Sequence, residues 1–389
     1  MNILVQPIPV AKPLLGEPEG EAARRVVQSG WVTQGPEVAA FEKEFADCVE
    51  APHACAVSNC TTALHLALRA LGVSEGGEVV TVSHSFIATA NAIRHCGAVP
   101  VFVDIEASGF NIDPALVERA ITRRTQAILC VHQLGMPCDL RAILDVARAY
   151  SIPVVEDAAC AIGSEMLWDD GWQKIGAPRG QIACFSFHPR KVITTGDGGM
   201  LTTADPELDR RFRLWRQHGM SISDVVRHGS TEVMFETYPE LGFNYRMTDL
   251  QAAIGREQLR RLPEIVARRR LLADKYRDRL RRVVGLELPI EPPWARSNWQ
   301  SFCVRLPAGA DQRSVMQSLL DRGVSTRRGV MNIHLEGAYA EPGCSRRGSD
   351  LSRSVAAQRN SIILPLYHQM SYADVDYVAG ALEGALAQR

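Results

Sequence analysis

Reactive and polar side chains follow five apolar runs of the sequence that have the length and composition of buried strands. Catalytic groups of open α/β sheets collect beyond the carboxyl ends of the strands, so these side chains are candidates for one common site. In chain order they are Ser58, Asn59, Cys60, Thr61 and Thr62, then His84 and Phe86, then His132, then Glu156, Asp157 and Cys160, and finally Ser186, His188 and Lys191.

Lys191 occupies an unusual place within the segment "CFSFHPRKVITTGDGGMLTT", which runs from Cys184 to Thr203. A lysine is ordinarily a solvated surface charge. This one stands between an apolar, strand-like stretch and a glycine-dense turn that leads into a second apolar stretch. A lysine amine in such a place is a candidate nucleophile that forms a Schiff base with a carbonyl group.

The strand-end groups together meet the requirements of one cofactor, pyridoxal 5'-phosphate. Its aldehyde needs a lysine amine, and its ring nitrogen needs a carboxylate that keeps it protonated. Its phosphate needs the backbone N–H groups of a helix start, and its ring needs a flat surface to stack on. The candidates, in that order, are Lys191, Asp157, the Cys60–Thr62 turn with Ser186, and Phe86.

Each of these residues also has an ordinary structural role that the sequence leaves open. Asp157 could cap the following helix or bind a metal, Thr61 and Thr62 are common helix-start residues, and Phe86 could belong to the core. The glycines after Lys191 match neither nucleotide-phosphate motif, GxxxxGK[ST] or GxGxxG. His132 and His188 lack the spacing of a zinc site, so no metal site is predicted.

The elements that must position these groups alternate between strands and helices from about residue 55 to residue 205. Short Val- and Ile-rich runs predict strands buried on both faces of a mostly parallel sheet, with amphipathic helices between them. The fold class is therefore α/β. After residue 245 a long helical region (Met247 to Leu280), bent near Pro263, leads into a mixture of strands and helices. We expect a large domain over residues 1–250 and a smaller α+β domain over residues 251–389.

Composition excludes several classes of protein. The chain has 389 residues, 46% of them apolar, and 43 basic residues against 44 acidic ones give a net charge of −1. This balance predicts no nucleic-acid or membrane partner. The sequence shows no secretory signal and no apolar run long enough to span a bilayer. The ten cysteines form no CxxC pair and predict reduced thiols of a cytoplasmic protein.

Seven segments in this order resemble the DegT-type nucleotide-sugar aminotransferases, which have the aspartate-aminotransferase-like fold (fold type I of the pyridoxal phosphate enzymes). They are "SGWVTQGPEVAAFEKEFA", "VSNCTTALHLALRALGV", "SFIATANAI", "VVEDAACAIGS", "FSFHPRKVITTGDGGML", "GFNYRMTDLQAAIGREQL" and "ILPLYHQMS". The resemblance extends from about Ser29 to Leu386.

The resemblance implies roles for individual residues. Lys191 would form the internal aldimine, and Asp157 would pair with the pyridinium. The residues implied to hold the phosphate or cover the ring are Cys60, Thr61, Thr62, Ser186 and Phe86. Asn244 would reach the phosphate of the neighbouring subunit, so the resemblance implies a homodimer with shared active sites.

Two positions depart from the common pattern of this family. Cys160 stands where "EDAA" is usually followed by a Gln or His that binds the oxygen of the cofactor ring, and a thiol is a weaker hydrogen-bonding group. Asn59 and Cys60 replace the usual Gly and Ser of the phosphate turn. Backbone N–H groups do not depend on the side chain, so we expect the phosphate site to be retained.

The resemblance implies transfer of an amino group from an amino acid, L-glutamate, to a keto group of a nucleotide-linked deoxy sugar in a ping-pong reaction. Candidates for binding that substrate are Arg227, Tyr245, Arg246, Arg327, Arg328 and His334. Two alternatives are a sugar dehydratase on the same fold and a non-catalytic regulatory protein that binds the cofactor. Lys191 favours transamination, because dehydratases of this family carry a histidine there.

Overall fold

A computed structural model describes residues 7–222, 227 and 230–387. Its helices are α1 Glu17–Ser29, α2 Pro36–Val49, α3 Cys60–Ala70, α4 Ala88–His95, α5 Pro114–Ala120, α6 Leu140–Tyr150, α7 Pro206–Trp215, α8 Asp249–Leu280, α9 Gln312–Asp321, α10 Ser352–Asn360 and α11 Tyr372–Ala387. Its strands are β1 His53–Val57, β2 Glu78–Val82, β3 Val99–Val103, β4 Thr125–Val131, β5 Val154–Asp157, β6 Glu165–Trp168, β7 Gly171–Lys174, β8 Ile182–Ser186, β9 Gly199–Thr203, β10 Ala295–Arg296, β11 Phe302–Arg305, β12 Arg327–Arg328, β13 Arg346–Arg347 and β14 Ser361–Leu364.

One large sheet has the strand order β1-β9-β8-β5-β4-β2-β3-β13 in the described part of the chain. The neighbouring pairs from β8 to β13 are parallel, whereas β9 is antiparallel to both β1 and β8. Strands β2, β5, β8 and β9 are buried along their whole length, as expected for a sheet that is covered by helices on both faces. The predicted α/β layering is confirmed, and β1, β2, β4, β5 and β8 all end at one edge of the sheet.

The C-terminal part of the chain forms a smaller sheet in the order β11-β14-β12. Helices α9 and α11 and the end of α8 pack on it around a separate apolar core. Helix α8 is one helix with Pro263 inside it, and Thr248 caps its first turn together with Gln251. The C-terminal part also pairs with strands from earlier in the chain, since β13 pairs with β3 of the large sheet and β10 pairs with β6. The division of the chain at residue 250 stays a prediction.

None of the helices in the described ranges combines the length and the apolarity that a bilayer crossing requires.

Candidate active site

Lys191 lies in a tight turn directly after β8, where its backbone N–H donates to the carbonyl of His188 at 2.8 Å. The side chain is half-buried, and Nζ donates to Cys160 Sγ at 3.1 Å. Burial by itself lowers the pKa of Lys191, but the neighbouring Cys160 and Asp157 outweigh it and the pKa is raised. The amine therefore contacts a neighbouring side chain at the carboxyl edge of the sheet, and its role as the Schiff-base residue stays a prediction.

Asp157 is the last residue of β5 and is only 5% exposed. Its Oδ2 accepts a hydrogen bond from Thr89 Oγ1 at 2.8 Å, and its Oδ1 accepts one from the N–H of Ala159 at 3.2 Å. Burial raises the pKa of Asp157, while the two hydrogen bonds and the charge of Lys191 act in the opposite direction. Among the described residues this carboxylate has no ion-pair partner, so it gains most from a cationic group brought beside it.

The start of helix α3 provides backbone N–H groups at the same edge. Asn59 is the N-cap: its Oδ1 accepts from the N–H of Thr62 at 3.0 Å, and Thr62 Oγ1 donates to the Asn59 carbonyl at 2.7 Å. The N–H groups of Cys60 and Thr61 have no acceptor in the described part of the chain. Free N–H groups in the first turn of a helix form an anion site, so this turn suits a phosphate.

Gly199 allows strand β9 to approach that helix start closely. It lies opposite Val57 on one side and Ser186 on the other. A Cβ atom at Gly199 would come within 2.5 Å of the carbonyl carbon and oxygen of Asn59 and within 2.8 Å of the N atom of Cys60. The glycine-dense segment after Lys191 therefore keeps the space in which the Cys60 turn and Ser186 face each other.

Phe86 lies just before helix α4, and the buried Thr89 lies in the first turn of that helix. Phe86 is 61% exposed, which is unusual for a phenylalanine and leaves its ring available to cover a ligand. Thr89, which contacts Asp157, was not among the sequence-based candidates. It follows Phe86 by three residues in "SFIATANAI", where its N–H donates to the Phe86 carbonyl at 3.1 Å, and this close spacing is the signal that could have identified it.

Cys160 is half-buried and is the side chain nearest to the Lys191 amine. Its backbone carbonyl accepts from Asn298 Nδ2 at 2.8 Å, and the same amide nitrogen donates to the Ile162 carbonyl at 2.8 Å. Asn298 was also missed by the sequence analysis, and no local pattern marks it. The thiol of Cys60 lies close enough to sense the charges of Asp157 and Lys191, and its pKa is raised well above the ordinary value, chiefly by burial.

His132 and Glu156 form a buried hydrogen-bonded pair. This pairing is a structural role and not a catalytic or metal-binding one. Its Nδ1 accepts from the N–H of Cys138 at 3.1 Å, so Nε2 carries the proton and donates to Glu156 Oε2 at 3.0 Å. The remaining oxygen of Glu156 accepts from the N–H of Gly180 at 3.0 Å. Both residues are therefore satisfied inside the chain and position the segment that follows β4.

The residues predicted to bind substrate do not form one cluster within a single chain. His334 does reach the carboxyl edge, because its Nδ1 lies 2.6 Å from the hydroxyl oxygen of Ser83, directly after β2. Tyr245 points elsewhere: its hydroxyl group lies 3.1 Å from Nδ1 of His65 on helix α3. Arg327 and Arg328 are exposed on β12, and Arg328 pairs with Glu336 at 3.5 Å.

Near the segment that joins α7 to α8 lie the other two substrate candidates, Arg227 and Arg246, and the phosphate candidate Asn244. Arg227 is exposed and pairs with Glu236 at 3.5 Å, while its immediate neighbours are outside the described residues. Asn244 is exposed, and Arg246 is half-buried beside Val57 of β1. Their assignments as substrate or phosphate ligands stay predictions.

The residues that converge at this edge fit pyridoxal 5'-phosphate by their chemistry. Four neighbouring loops carry these groups. They are the Lys191 amine, the buried Asp157 carboxylate without an ion-pair partner among the described residues, the helix start with free N–H groups, and the exposed ring of Phe86. Because Gly199 leaves room beside the helix start, a phosphate would meet backbone and not a side chain there.

Comparison with known proteins agrees with this chemistry. The sequence profile of the DegT/DnrJ/EryC1/StrS aminotransferase family matches residues 13–383. GDP-perosamine synthase of Caulobacter vibrioides is 37% identical over 383 residues, which are 97% of this chain and 98% of that protein.

Two solved structures share the fold over nearly the whole chain. The aminotransferase TlmJ from Streptoalloteichus hindustanus is 35% identical, with a TM-score of 0.89 over 98% of this chain and 99% of that one. The putative sugar aminotransferase Spr1654 from Streptococcus pneumoniae, solved in its PMP form, is 27% identical, with a TM-score of 0.90 over 98% and 99% of the two chains. The predicted aspartate-aminotransferase-like fold and the predicted enzyme class are confirmed. The chain belongs to the DegT/DnrJ/EryC1/StrS aminotransferase family and is an aminotransferase.

Proposed function

We propose that this enzyme uses pyridoxal 5'-phosphate to move an amino group from L-glutamate to a keto group of a nucleotide-linked deoxy sugar, in two half-reactions that share one site. The observation that carries the proposal is the convergence of the Lys191 amine, the buried Asp157 carboxylate and the free N–H groups of the α3 start at one sheet edge. The names of the GDP-perosamine synthase and Spr1654 relatives support an amino-sugar product and a cofactor that alternates between two forms.

The chain's own residues have separate tasks in this proposal. Bound pyridoxal phosphate supplies an electron sink for negative charge that develops on the carbon atom beside the transferred nitrogen. Lys191 Nζ would hold the cofactor covalently, and the same amine, when free, would carry the proton that moves to or from that carbon. A general acid–base of this kind contributes about 10²–10⁴-fold to the rate.

Asp157 keeps a proton on the ring nitrogen of the cofactor. Thr89 and the N–H of Ala159 hold its two oxygens, so the carboxylate cannot turn away. The N–H groups of Cys60 and Thr61 bind the phosphate with the Ser186 hydroxyl, and Phe86 covers the ring and excludes water. Cys160 lies beside the Lys191 amine and would contact the oxygen of the ring.

The sugar substrate would be bound by arginines and by His334. The planar guanidinium group matches a diphosphate, which favours Arg327, Arg328 and Arg246 as its ligands. The Ser83 hydroxyl accepts from the N–H of His334 at 3.2 Å and lies 2.6 Å from its Nδ1, so Nε2 is the ring nitrogen that would contact a sugar hydroxyl or keto oxygen.

The active enzyme would be a homodimer in which Asn244 completes the site of the partner subunit. Its exposure agrees with a contact outside its own chain. Mixing Lys191→Ala protein with Asn244→Ala protein tests this arrangement. If Asn244 acts across the interface, mixed dimers contain one intact site and regain activity, whereas mixtures stay inactive if it acts within its own chain.

We also propose a cytoplasmic location, which agrees with ten cysteines that are all free thiols.

One experiment tests the reaction. The protein is loaded with pyridoxal phosphate and given L-glutamate, and the absorbance change from the aldehyde to the amine form of the cofactor is followed. The amine form is then offered a panel of 3-keto and 4-keto nucleotide sugars, and the productive sugar restores the starting spectrum. A dehydratase would release water from a sugar without consuming stoichiometric glutamate, and that result would refute the proposal.

A further inference from the structure

Arg269, near the middle of helix α8, is a buried cation without a carboxylate partner. It is 3% exposed, and no carboxylate lies within ion-pair distance of it among the residues described. The buried Arg216, in contrast, pairs with Glu42. Burial lowers the pKa of Arg269 to about 10. A buried charge without an ion-pair partner is costly, so the hydrogen bonds that Arg269 makes have to offset that cost.

The guanidinium group of Arg269 binds three backbone carbonyls through a single nitrogen. Nη1 donates to Trp299 at 3.0 Å, to Gln300 at 3.3 Å and to Leu366 at 2.9 Å. Trp299 has a φ of +52°, a left-handed conformation that is strained for a bulky residue. Because this conformation interrupts the extended chain, the consecutive carbonyls of Trp299 and Gln300 both reach Nη1 of Arg269. Arg269 therefore holds the segment 298–300 in a conformation that it would not adopt by itself.

The side chains of this segment bind the backbone of Cys160 and the backbone next to Lys191. These are the two residues that are joined by the contact between Nζ and Sγ. Asn298 Nδ2 donates to the Cys160 carbonyl at 2.8 Å, and Gln300 Nε2 donates to the carbonyl of Arg190, the neighbour of Lys191, at 3.0 Å. Asn298 and Gln300 are also tied to each other, because the N–H of Gln300 donates to Asn298 Oδ1 at 2.8 Å. One clamp thus fixes the backbone on both sides of the contact between Lys191 Nζ and Cys160 Sγ.

We infer that Arg269 is a positioning residue for the Lys191 amine, and that it acts through the segment 298–300. The inference rests on the proposed role of Lys191 as the residue that holds the cofactor. A small displacement of a reacting group costs about 10²-fold in rate even when the mutated residue is remote. Among the described residues, the hydrogen-bond acceptors of Arg269 are these three backbone carbonyls, two of which belong to the segment 298–300.

The first test compares Arg269→Met with a variant that weakens the same helix elsewhere. Met fills the space without the donors, and Tyr276→Phe removes a buried hydrogen bond from α8 to the Pro365 carbonyl. We expect Arg269→Met to slow the half-reaction with L-glutamate by about 10- to 100-fold with KM changed less than about threefold, and Tyr276→Phe to keep the wild-type rate. Arg269→Lys, which retains the charge and part of the bonding, should recover part of the rate. Equal rate losses in Arg269→Met and Tyr276→Phe at matched loss of thermal stability would overturn the inference.

A second readout separates failure of this inference from failure of the proposed function. The rate at which Lys191 captures pyridoxal phosphate is measured in the cofactor-free chain, with borohydride trapping and without any amino donor. Arg269→Met should slow this capture at least about tenfold, and it does so whether or not glutamate is the donor. An unchanged capture rate would refute the role of Arg269.

The path through the segment 298–300 is tested with Gln300→Ala in a double-mutant cycle. If Arg269 acts through Gln300, the double variant loses less rate than the product of the two single losses. Losses that multiply would show that the two residues act independently and would contradict the proposed path.

Discussion

Thr89→Val isolates the hydrogen bond that holds Asp157, because valine has nearly the shape of threonine and lacks only the hydroxyl. Thr89 is 1% exposed, so water cannot replace the lost donor. Its Oγ1 donates to Asp157 Oδ2 at 2.8 Å and, having only one proton, accepts from Ser85 at 2.8 Å. A hydrogen bond to a charged group contributes about 1.5–3 kcal/mol. At about 1.4 kcal/mol for each factor of ten, its loss should slow the half-reaction by about 10- to 100-fold at neutral pH.

The pH dependence of this variant follows from the direction of the Asp157 shift. Burial raises the pKa of Asp157, and the Thr89 hydroxyl lowers it. Removing the hydroxyl therefore raises the pKa further, and a smaller fraction of the carboxylate is ionised at a given pH. The acid limb of the rate profile should move to higher pH, so the defect is largest in acid and shrinks in base.

The assay is the glutamate half-reaction of the loaded enzyme, followed by absorbance across a pH series, with Thr81→Val as the matched control. Thr81 is also buried and also donates a hydrogen bond, at 2.7 Å to the Leu129 carbonyl, but it lies within β2 away from the site. Thr81→Val should lose stability without a change in the pH profile. A wild-type profile in Thr89→Val, or the same displacement in Thr81→Val, would refute the reasoning.

Three further predictions concern the phosphate turn, the substrate arginines and a buried ion pair. Gly199→Ala should weaken cofactor binding at least about tenfold in an equilibrium titration, because the new Cβ would lie 2.5 Å from the backbone of Asn59. The control is Gly380→Ala, whose Cβ would have no atom within 4 Å. This variant should bind the cofactor normally. Arg327→Met should raise KM for the nucleotide sugar about tenfold and leave the glutamate half-reaction unchanged, and steady-state kinetics that show no change would remove Arg327 from the site. Glu42→Gln should destabilise the fold by about 3–5 kcal/mol at neutral pH, because it leaves Arg216 buried and unpaired. Burial would raise the pKa of Glu42, but Arg216 and Arg213 lower it below its ordinary value of 4.5, so the wild-type advantage should be complete above that value and shrink as the pH falls below it. Thermal unfolding at a series of pH values checks this, and a pH-independent difference would contradict it.

The sequence was sufficient to predict the site residues that follow strands. Asp157 and Lys191 each stand directly after an apolar run, and the carboxyl ends of parallel strands must meet at one edge, so local pattern and sheet geometry placed them together. The alternation of strands and helices likewise predicted the large sheet. The short strand β13, only two residues long, carries no periodic signal, and its pairing with β3 was not predicted.

The residues that hold the site in place could not be predicted from local sequence patterns. Thr89 contacts Asp157 across 68 residues of sequence, and Asn298 contacts Cys160 across 138. Arg269 belongs to a run of three arginines that has the pattern of a solvated helical face, yet it is buried and donates to three backbone carbonyls that are distant in sequence. Contacts of this kind depend on how elements pack, which the spacing of one sequence does not specify.

The claim on which the account depends is that the Lys191 amine holds the cofactor. Borohydride reduction of the fully loaded protein, followed by mass mapping of its peptides, tests it most directly. The account predicts the reduced cofactor on the peptide that contains Lys191 and on no other peptide. Label on a different lysine, or no label in loaded protein, would contradict it.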